Sequence, residues 1–168
     1  MGSQTEHAAI LRHLTALWEY AKRARAKPRP FLFEQNQMSA DPAKQPPFAN
    51  FLGIKVTSVT PERVTAELPV REELNNRFGI MHGGAIMALA DNLGGTATSA
   101  NLKTGQSTTT IESKTNFFAA VPVGDIAYAE TTPLHRGRTT MVWQTRITRG
   151  DGKLCALVTQ TQLVLVAN

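Results

Sequence analysis

A histidine, two glycines and an acid nine residues beyond the histidine define the chemistry open to this chain. His82, Gly83 and Gly84 stand where a helix should begin, and Asp91 follows inside the apolar run of Ile86, Met87, Leu89, Ala90 and Leu93. The amides of Gly83 and Gly84 would be unpaired donors at the positive end of a helix dipole, where a carbonyl or an oxyanion can bind. A carboxylate buried among apolar side chains is costly unless it has a partner or a task, so Asp91 is expected to be functional.

The spacing adds a constraint. At about 100° per residue, nine residues turn through about 900°, so His82 and Asp91 should point to opposite sides of the helix, with Asp91 on the order of 12 Å from the glycines. One copy of the chain cannot bring both to one small reacting group. A shared site would take the glycine end from one subunit and Asp91 from another, and a two-fold dimer supplies that arrangement twice.

The elements that must hold these residues follow from the apolar pattern. A helix is predicted from Ala85 to about Leu102, entered through a loop of Asn76, Arg77, Phe78 and Gly79. Gly94 and Gly95 interrupt it at about 1 kcal/mol each relative to Ala. Close backbone approach is one reading of them, and an earlier helix end at Asn92 or Leu93 is the other. Strands are predicted over 51–60, 63–70, 107–118, 125–134, 139–148 and 154–166, with Gly150, Asp151 and Gly152 turning between the last two. The expected fold class is α+β: five or six antiparallel strands with one helix across one sheet face.

Upstream, residues 5–26 carry an amphipathic helix pattern with Ile10, Leu11, Leu14, Leu17, Trp18 and Ala21 on one stripe. A linker follows through Pro28, Pro30, Pro42, Pro46 and Pro47, which divides the chain into a 1–47 segment and a 48–168 domain.

Composition narrows the function classes. The chain has 168 residues, 42% hydrophobic, enough for one domain with a proper core, and no apolar run reaches the roughly 18 residues of a membrane span. No integral membrane association is expected. The formal charge of +5 is mainly N-terminal: Lys and Arg outnumber Asp and Glu by 7 to 4 before Phe48 and by 11 to 9 from there on. The cluster of Lys22, Arg23, Arg25, Lys27 and Arg29 reads as a solvated helix end whose cations suit the dipole, and no nucleic-acid partner is expected. Cys155 is the single cysteine, which excludes an intrachain disulfide and points to a reducing, cytoplasmic setting. The four histidines have no metal-ligand spacing, and no phosphate loop or dinucleotide fingerprint is present, so neither metal nor bound redox cofactor is expected.

As a set, Asn76, His82-Gly83-Gly84 and Asp91 resemble the hotdog-fold acyl-CoA thioesterases, specifically the phenylacetate-pathway (PaaI-like) group related to 4-hydroxybenzoyl-CoA thioesterases. The resemblance spans 48–166, with Leu52-Gly53-Ile54 near the first strand and Leu134-His135-Arg136-Gly137-Arg138 before Val142-Trp143-Gln144. It implies a sheet wrapped around one long central helix. It also implies that the Gly84 amide, assisted by Gly83 or His82, polarises a thioester carbonyl while Asn76 orients substrate or water. Asp91 of the other subunit would be general base or nucleophile, and Thr109 or Thr110 the hydroxyl that positions the attacking water. On residue chemistry, His135, Arg136 and Arg138 either bind the phosphates of coenzyme A, which enters as part of the substrate, or form a plain basic hairpin. Hydrolysis of medium-chain or aryl acyl-CoA by a homodimer, or by a dimer of dimers, is the leading expectation. A noncatalytic acyl-CoA-binding protein and a hotdog dehydratase or hydratase are the alternatives. On residues alone, His82 is a helix cap before it is an acid–base catalyst, and Asn76 is a turn residue outside this company.

Overall fold

The computed structural model describes residues 44–166, together with Thr15, Glu19 and Lys22 of the N-terminal segment. The chain divides into two units, Met1–Glu34 and Gln35–Asn168. In the first, the three described residues are helical, and Lys22 pairs with Glu19 one turn away at 2.5 Å. The rest of the expected amphipathic helix, and the linker up to residue 43, lie outside the described residues.

The second unit opens with a short helix, α1 (Pro47–Leu52), where a strand was expected to begin. Pro47 fits the first helical turn, and Ala49 and Leu52, three apart, are the buried positions. Gly53 then ends the helix in the left-handed region at φ 83°, and Arg71 donates to the carbonyls of Leu52 and Phe51 at 2.6 and 2.7 Å. The strand therefore starts four residues late.

The remaining elements are β1 (Lys55–Val59), β2 (Val64–Pro69), a 3₁₀ turn (Glu72–Leu74), α2 (Gly83–Ser99), β3 (Gln106–Phe117), β4 (Ile126–Arg136), β5 (Thr140–Thr148) and β6 (Leu154–Val166). The strands form one antiparallel sheet in the order β1-β2-β4-β5-β6-β3, which leaves β3 at an edge. One long helix on a six-stranded antiparallel sheet is the hotdog arrangement expected from the sequence.

The core lies between α2 and the sheet. Leu89, Leu93 and Ala97 of the helix are fully buried with Val64 and Leu68 of β2, Ala127 of β4, Trp143 and Ile147 of β5, and Val158 of β6. Trp143 keeps its indole N–H satisfied by donating to Thr98 Oγ1 at 2.7 Å, and Thr98 passes its own proton to the Gly94 carbonyl at 2.9 Å. The helix starts two residues earlier than predicted, at Gly83, and ends at Ser99. Its end is fixed by Asn101, whose amide donates to Ala97 O and to Pro61 O of the β1–β2 turn. No early stop occurs at Asn92. Gly94 is there for close approach: a Cβ on it would lie 2.1 Å from Gln160 Oε1 on β6. The same account does not extend to Gly95, where a Cβ would meet nothing within 4 Å.

Candidate active site

The approach to α2 is held on both sides. Asn75 bridges Met81, Ile80 bridges Pro122, Met81 N–H donates to Val121 O, and His82 N–H donates to Leu74 O. This fixes His82 as the N-cap of α2, with φ −65° and ψ 136°. Its Nδ1 accepts the Gly84 amide at 2.9 Å, and its carbonyl accepts from Ala85 and Ile86. The Gly84 donor expected to polarise a carbonyl is thus occupied by an imidazole, while the Gly83 amide has no acceptor among the described residues. The Phe117 ring of β3 lies over Gly83, 3.2 Å from where a Cβ would stand.

A cleft of about 400 Å³ opens here, lined by Asn76, Ile80, Met81, Gly83, Ile86, Phe117, Phe118 and the 119–121 segment. Asn76 Oδ1 is committed to the Phe78 amide at 2.8 Å, a local turn that leaves the Asn76 side-chain N–H₂ without an acceptor among the described residues. The far wall is anchored by the β5–β6 turn. Arg149 donates to Ala120 O at 3.1 Å and grips Asp151 at 2.8 Å, and Asp125 Oδ1 accepts from Gly150 and Ile126. That grip, with the Lys153 amide, holds the Asp151 carboxyl at about 2, well below the ordinary carboxylate value. Burial pushes the Cys155 thiol up, and its Sγ donates to Lys153 O at 3.3 Å, which suits a core residue and not a nucleophile.

Asp91 is exposed in the single subunit, a correction to the buried acid read from its apolar neighbours. Those neighbours, Leu89, Ala90 and Leu93, turn to the core, whereas Gly84, Met87, Asp91 and Gly95 fall on the opposite stripe of α2. Nor is the acid unpartnered. Thr110 Oγ1 donates to Asp91 Oδ1 at 2.9 Å, and Gln160 Nε2 donates to the same oxygen at 2.7 Å. Among the described residues, Oδ2 carries no hydrogen bond.

Of the two threonines offered by the sequence, it is Thr110 that meets Asp91. Before Ile111, Thr110 pairs with Gln162 on the face of β3 turned to the helix; beyond it, Glu112 pairs with Thr161, and Ser113, Thr115 and Phe117 take over that face. The bulge at Ile111 flips the alternation, so one strand serves both Asp91 and the helix start. Thr110 Oγ1 also accepts from Gln160 Nε2 at 3.1 Å and Gln162 Nε2 at 2.8 Å, so its one proton is spent on Asp91. A role in which that proton positions an attacking water does not fit this geometry. Gln160 and Gln162, each 1% exposed, were missed by the sequence reading. The signal was present: Val158, Gln160, Gln162 and Val164 share the dry face of β6, and two amides on such a face call for partners.

The structure brings Asn76 and Gly83 to the cleft, with His82 and Gly84 beside Gly83 at the helix start, and does not bring Asp91 and Thr110 there. Seven residues along α2 separate Gly84 from Asp91, about 10 Å, but turn through only about 700°, so the two lie on nearly the same side. Within one copy, distance and not opposed direction separates Gly84 from Asp91. His135, Arg136 and Arg138 stand at the other end of the helix. Arg136 donates to Pro61 O and Asn101 Oδ1, both at 3.2 Å, and pairs with Glu62 at 3.6 Å, so its guanidinium ties the β4–β5 hairpin to the β1–β2 turn. His135 and Arg138 are exposed. No three His, Cys, Asp or Glu side chains converge as metal ligands among the described residues, and none of the described helices is long and apolar enough to cross a membrane.

The family described as the thioesterase superfamily matches residues 78–156, a span running from the cleft loop through α2 to β6. A Haemophilus influenzae relative carrying an esterase name is 32% identical over 114 residues, 68% of this chain and 82% of the relative. The crystal structure of a mutant of thioesterase PA1618 from Pseudomonas aeruginosa superposes with a TM-score of 0.68 at 30% identity, covering 71% of this chain and 86% of that one. A Streptococcus mutans protein solved bound to acetyl CoA superposes with a TM-score of 0.63 at 26% identity, covering 68% of this chain and 90% of that one.

Proposed function

We propose that this chain, which belongs to the thioesterase superfamily and is a thioester hydrolase, acts on acyl-CoA thioesters at a site completed by two subunits. The observation that carries the shared site is the separation of about 10 Å between Gly84 and Asp91 along one exposed helix stripe. The midpoint of that stripe is Met87, itself 42% exposed. A two-fold axis beside Met87 runs the two helices antiparallel and sets each glycine end against the other subunit's Asp91. The edge of β3, with exposed Ile111 and Phe117 on the strand and Phe118 just beyond it, supplies further surface for the same contact.

In this reading the thioester carbonyl sits on the Gly83 amide, with the Gly84 amide released to it when the His82 imidazole swings away. Both donors point where negative charge develops on the carbonyl oxygen. Asp91 Oδ2 of the second subunit takes a proton from water, the hydroxyl oxygen adds to the carbonyl carbon, and collapse of the tetrahedral adduct expels the coenzyme A thiolate. The free side-chain N–H₂ of Asn76 faces the acyl portion. The cleft of Ile80, Met81, Ile86, Phe117 and Phe118 suits a medium-chain or aryl acyl group. Exposed His135 and Arg138 are the phosphate-binding candidates that remain once Arg136 is spent internally. The Streptococcus mutans neighbour solved bound to acetyl CoA supports that substrate class. A cytoplasmic enzyme with no cofactor beyond the coenzyme A of its substrate is part of the same proposal.

The test mixes two inactive subunits. Asp91→Asn removes the base. Gly83→Pro removes the free amide at the first helical position, where Pro is tolerated and where His82 at ψ 136° already has the conformation Pro demands of its predecessor. A heterodimer then holds one site with both defects and one with neither, so hexanoyl-CoA or benzoyl-CoA hydrolysis should partly return. Verified heterodimers without activity would overturn the shared site.

A further inference from the structure

Gln160 is an unusual residue for its place. It lies on the dry face of β6 at 1% exposure, and space for it exists only because position 94 is glycine. Its Nε2 donates to Asp91 Oδ1 at 2.7 Å and to Thr110 Oγ1 at 3.1 Å, while its Oε1 is buried with no hydrogen-bond partner among the described residues. A glutamine kept for structure alone would satisfy both ends of its amide. Here one end is left orphaned so that the other can face the acid. Turning the amide over would set Oε1 against Asp91 Oδ1, acceptor against acceptor, so the acid dictates the orientation seen.

Gln162 extends the same order one pair along the strand. Its Oε1 accepts from Thr108 Oγ1 at 2.9 Å, which turns its Nε2 toward Thr110 Oγ1 at 2.8 Å. With both lone pairs of that hydroxyl filled, its proton has one place to go, Asp91 Oδ1. Two donors thus fix one oxygen of the acid and leave Oδ2 free.

We infer that Gln160, with Gln162 behind it, is a positioning residue that locks Asp91 in a single rotamer with Oδ2 presented for proton abstraction. The inference rests on the proposal above that Asp91 is the base. It requires an effect on the chemical step: losing Gln160 leaves Asp91 with the Thr110 donor alone and free to rotate, and a loosely held base costs rate while substrate binding is kept.

The experiment compares Gln160→Leu, Asp91→Ala and the double variant in the full-length protein, with hexanoyl-CoA and benzoyl-CoA as substrates and Tm as the check on folding. Gln160→Leu should lower kcat by about 10- to 100-fold with KM within about threefold. In the Asp91→Ala background it should lower the residual rate no further, because its only task is gone. The same drop in both backgrounds would assign Gln160 a structural role and overturn the inference. So would an unchanged kcat in Gln160→Leu beside an inactive Asp91→Ala, an outcome that leaves the proposed function standing. Full activity in Asp91→Ala would overturn both. If Gln160→Leu does not fold, Gln160→Glu, of the same shape but with an acceptor facing Asp91, is read by the same outcomes.

Discussion

His82 Nδ1 accepts the Gly84 amide at 2.9 Å, so the imidazole occupies a donor that a thioester carbonyl would otherwise use. The accepting nitrogen carries no proton in this arrangement, and the bond is that of a helix cap. His82→Ala should therefore act on stability more than on rate. Loss of a cap costs about 1 kcal/mol, a Tm fall of roughly 2–4 °C for a chain of this size. The drop in kcat should stay below about tenfold, whereas a general acid or base would cost on the order of 10² or more. Steady-state hydrolysis and thermal melts of the one variant separate the two.

The turn that anchors the cleft wall makes stability sensitive to acid. Asp151 titrates at about 2 in the folded protein against an ordinary value of 3.8, with the Arg149 hydrogen bonds as the main cause. A depressed carboxylate pKa adds stability that is complete above the unfolded value and is lost as pH falls through the folded one. Asp151→Asn should thus lower Tm at neutral pH, and the gap to the parent should close between about pH 4 and pH 2. A gap of constant size across that range would assign the effect to something other than this carboxylate.

The phosphate question divides the basic hairpin. His135→Ala with Arg138→Ala should raise KM for acyl-CoA with little change in kcat, since phosphate contacts hold ground and transition states alike. Arg136→Ala should instead lower Tm, because it releases Asn101, Pro61 O and Glu62 together. A raised KM for Arg136→Ala at unchanged Tm would return that residue to the binding site.

Much of this was legible because local pattern and tertiary need agree. Val64, Ala66 and Leu68 alternate and are buried on one face of β2; His82 precedes two glycines and caps α2; Gly94 leaves room on the helix where Gln160 must fit. The failures have physical causes. Phe51 and Leu52 have strand-like composition, but Pro47 and Gly53 bracket a helix that Arg71, 19 residues from Leu52, completes. The apolar run around Asp91 conceals the turn of about 100° per residue that sends Leu89, Ala90 and Leu93 to the core and Asp91 to the other stripe, so the acid reads as buried when its stripe is exposed. The bulge at Ile111 decides which threonine meets Asp91, and no residue type in β3 announces it. Gln160 and Gln162 belong to the site only through strand pairing across more than 40 residues, which a linear reading does not supply.

Asp91 should be dispensable for folding and indispensable for rate. Asp91→Asn keeps a hydrogen-bond acceptor for Thr110 and Gln160 and removes a charge from an exposed position, so Tm should stay within a few degrees. It cannot take a proton from water, and kcat should fall by about 10² to 10⁴. A folded Asp91→Asn protein with near-parental kcat would remove Asp91 from the chemistry.

Met87 tests the two-fold symmetry on which the proposed shared site depends. It stands between Gly84 and Asp91 on the exposed stripe of α2, and a residue beside a two-fold axis meets its own copy. Met87→Glu would set two like charges against each other in the interface, while in the single subunit the new carboxylate remains solvated. The variant should sediment as a folded monomer and lose hydrolysis, since neither copy alone spans the gap from the Gly83 amide to Asp91 Oδ2. An intact dimer with full activity would move the axis elsewhere. A monomer that still turns over acyl-CoA at the parental rate would show that one chain is sufficient, and the two ends of α2 would then need a different explanation.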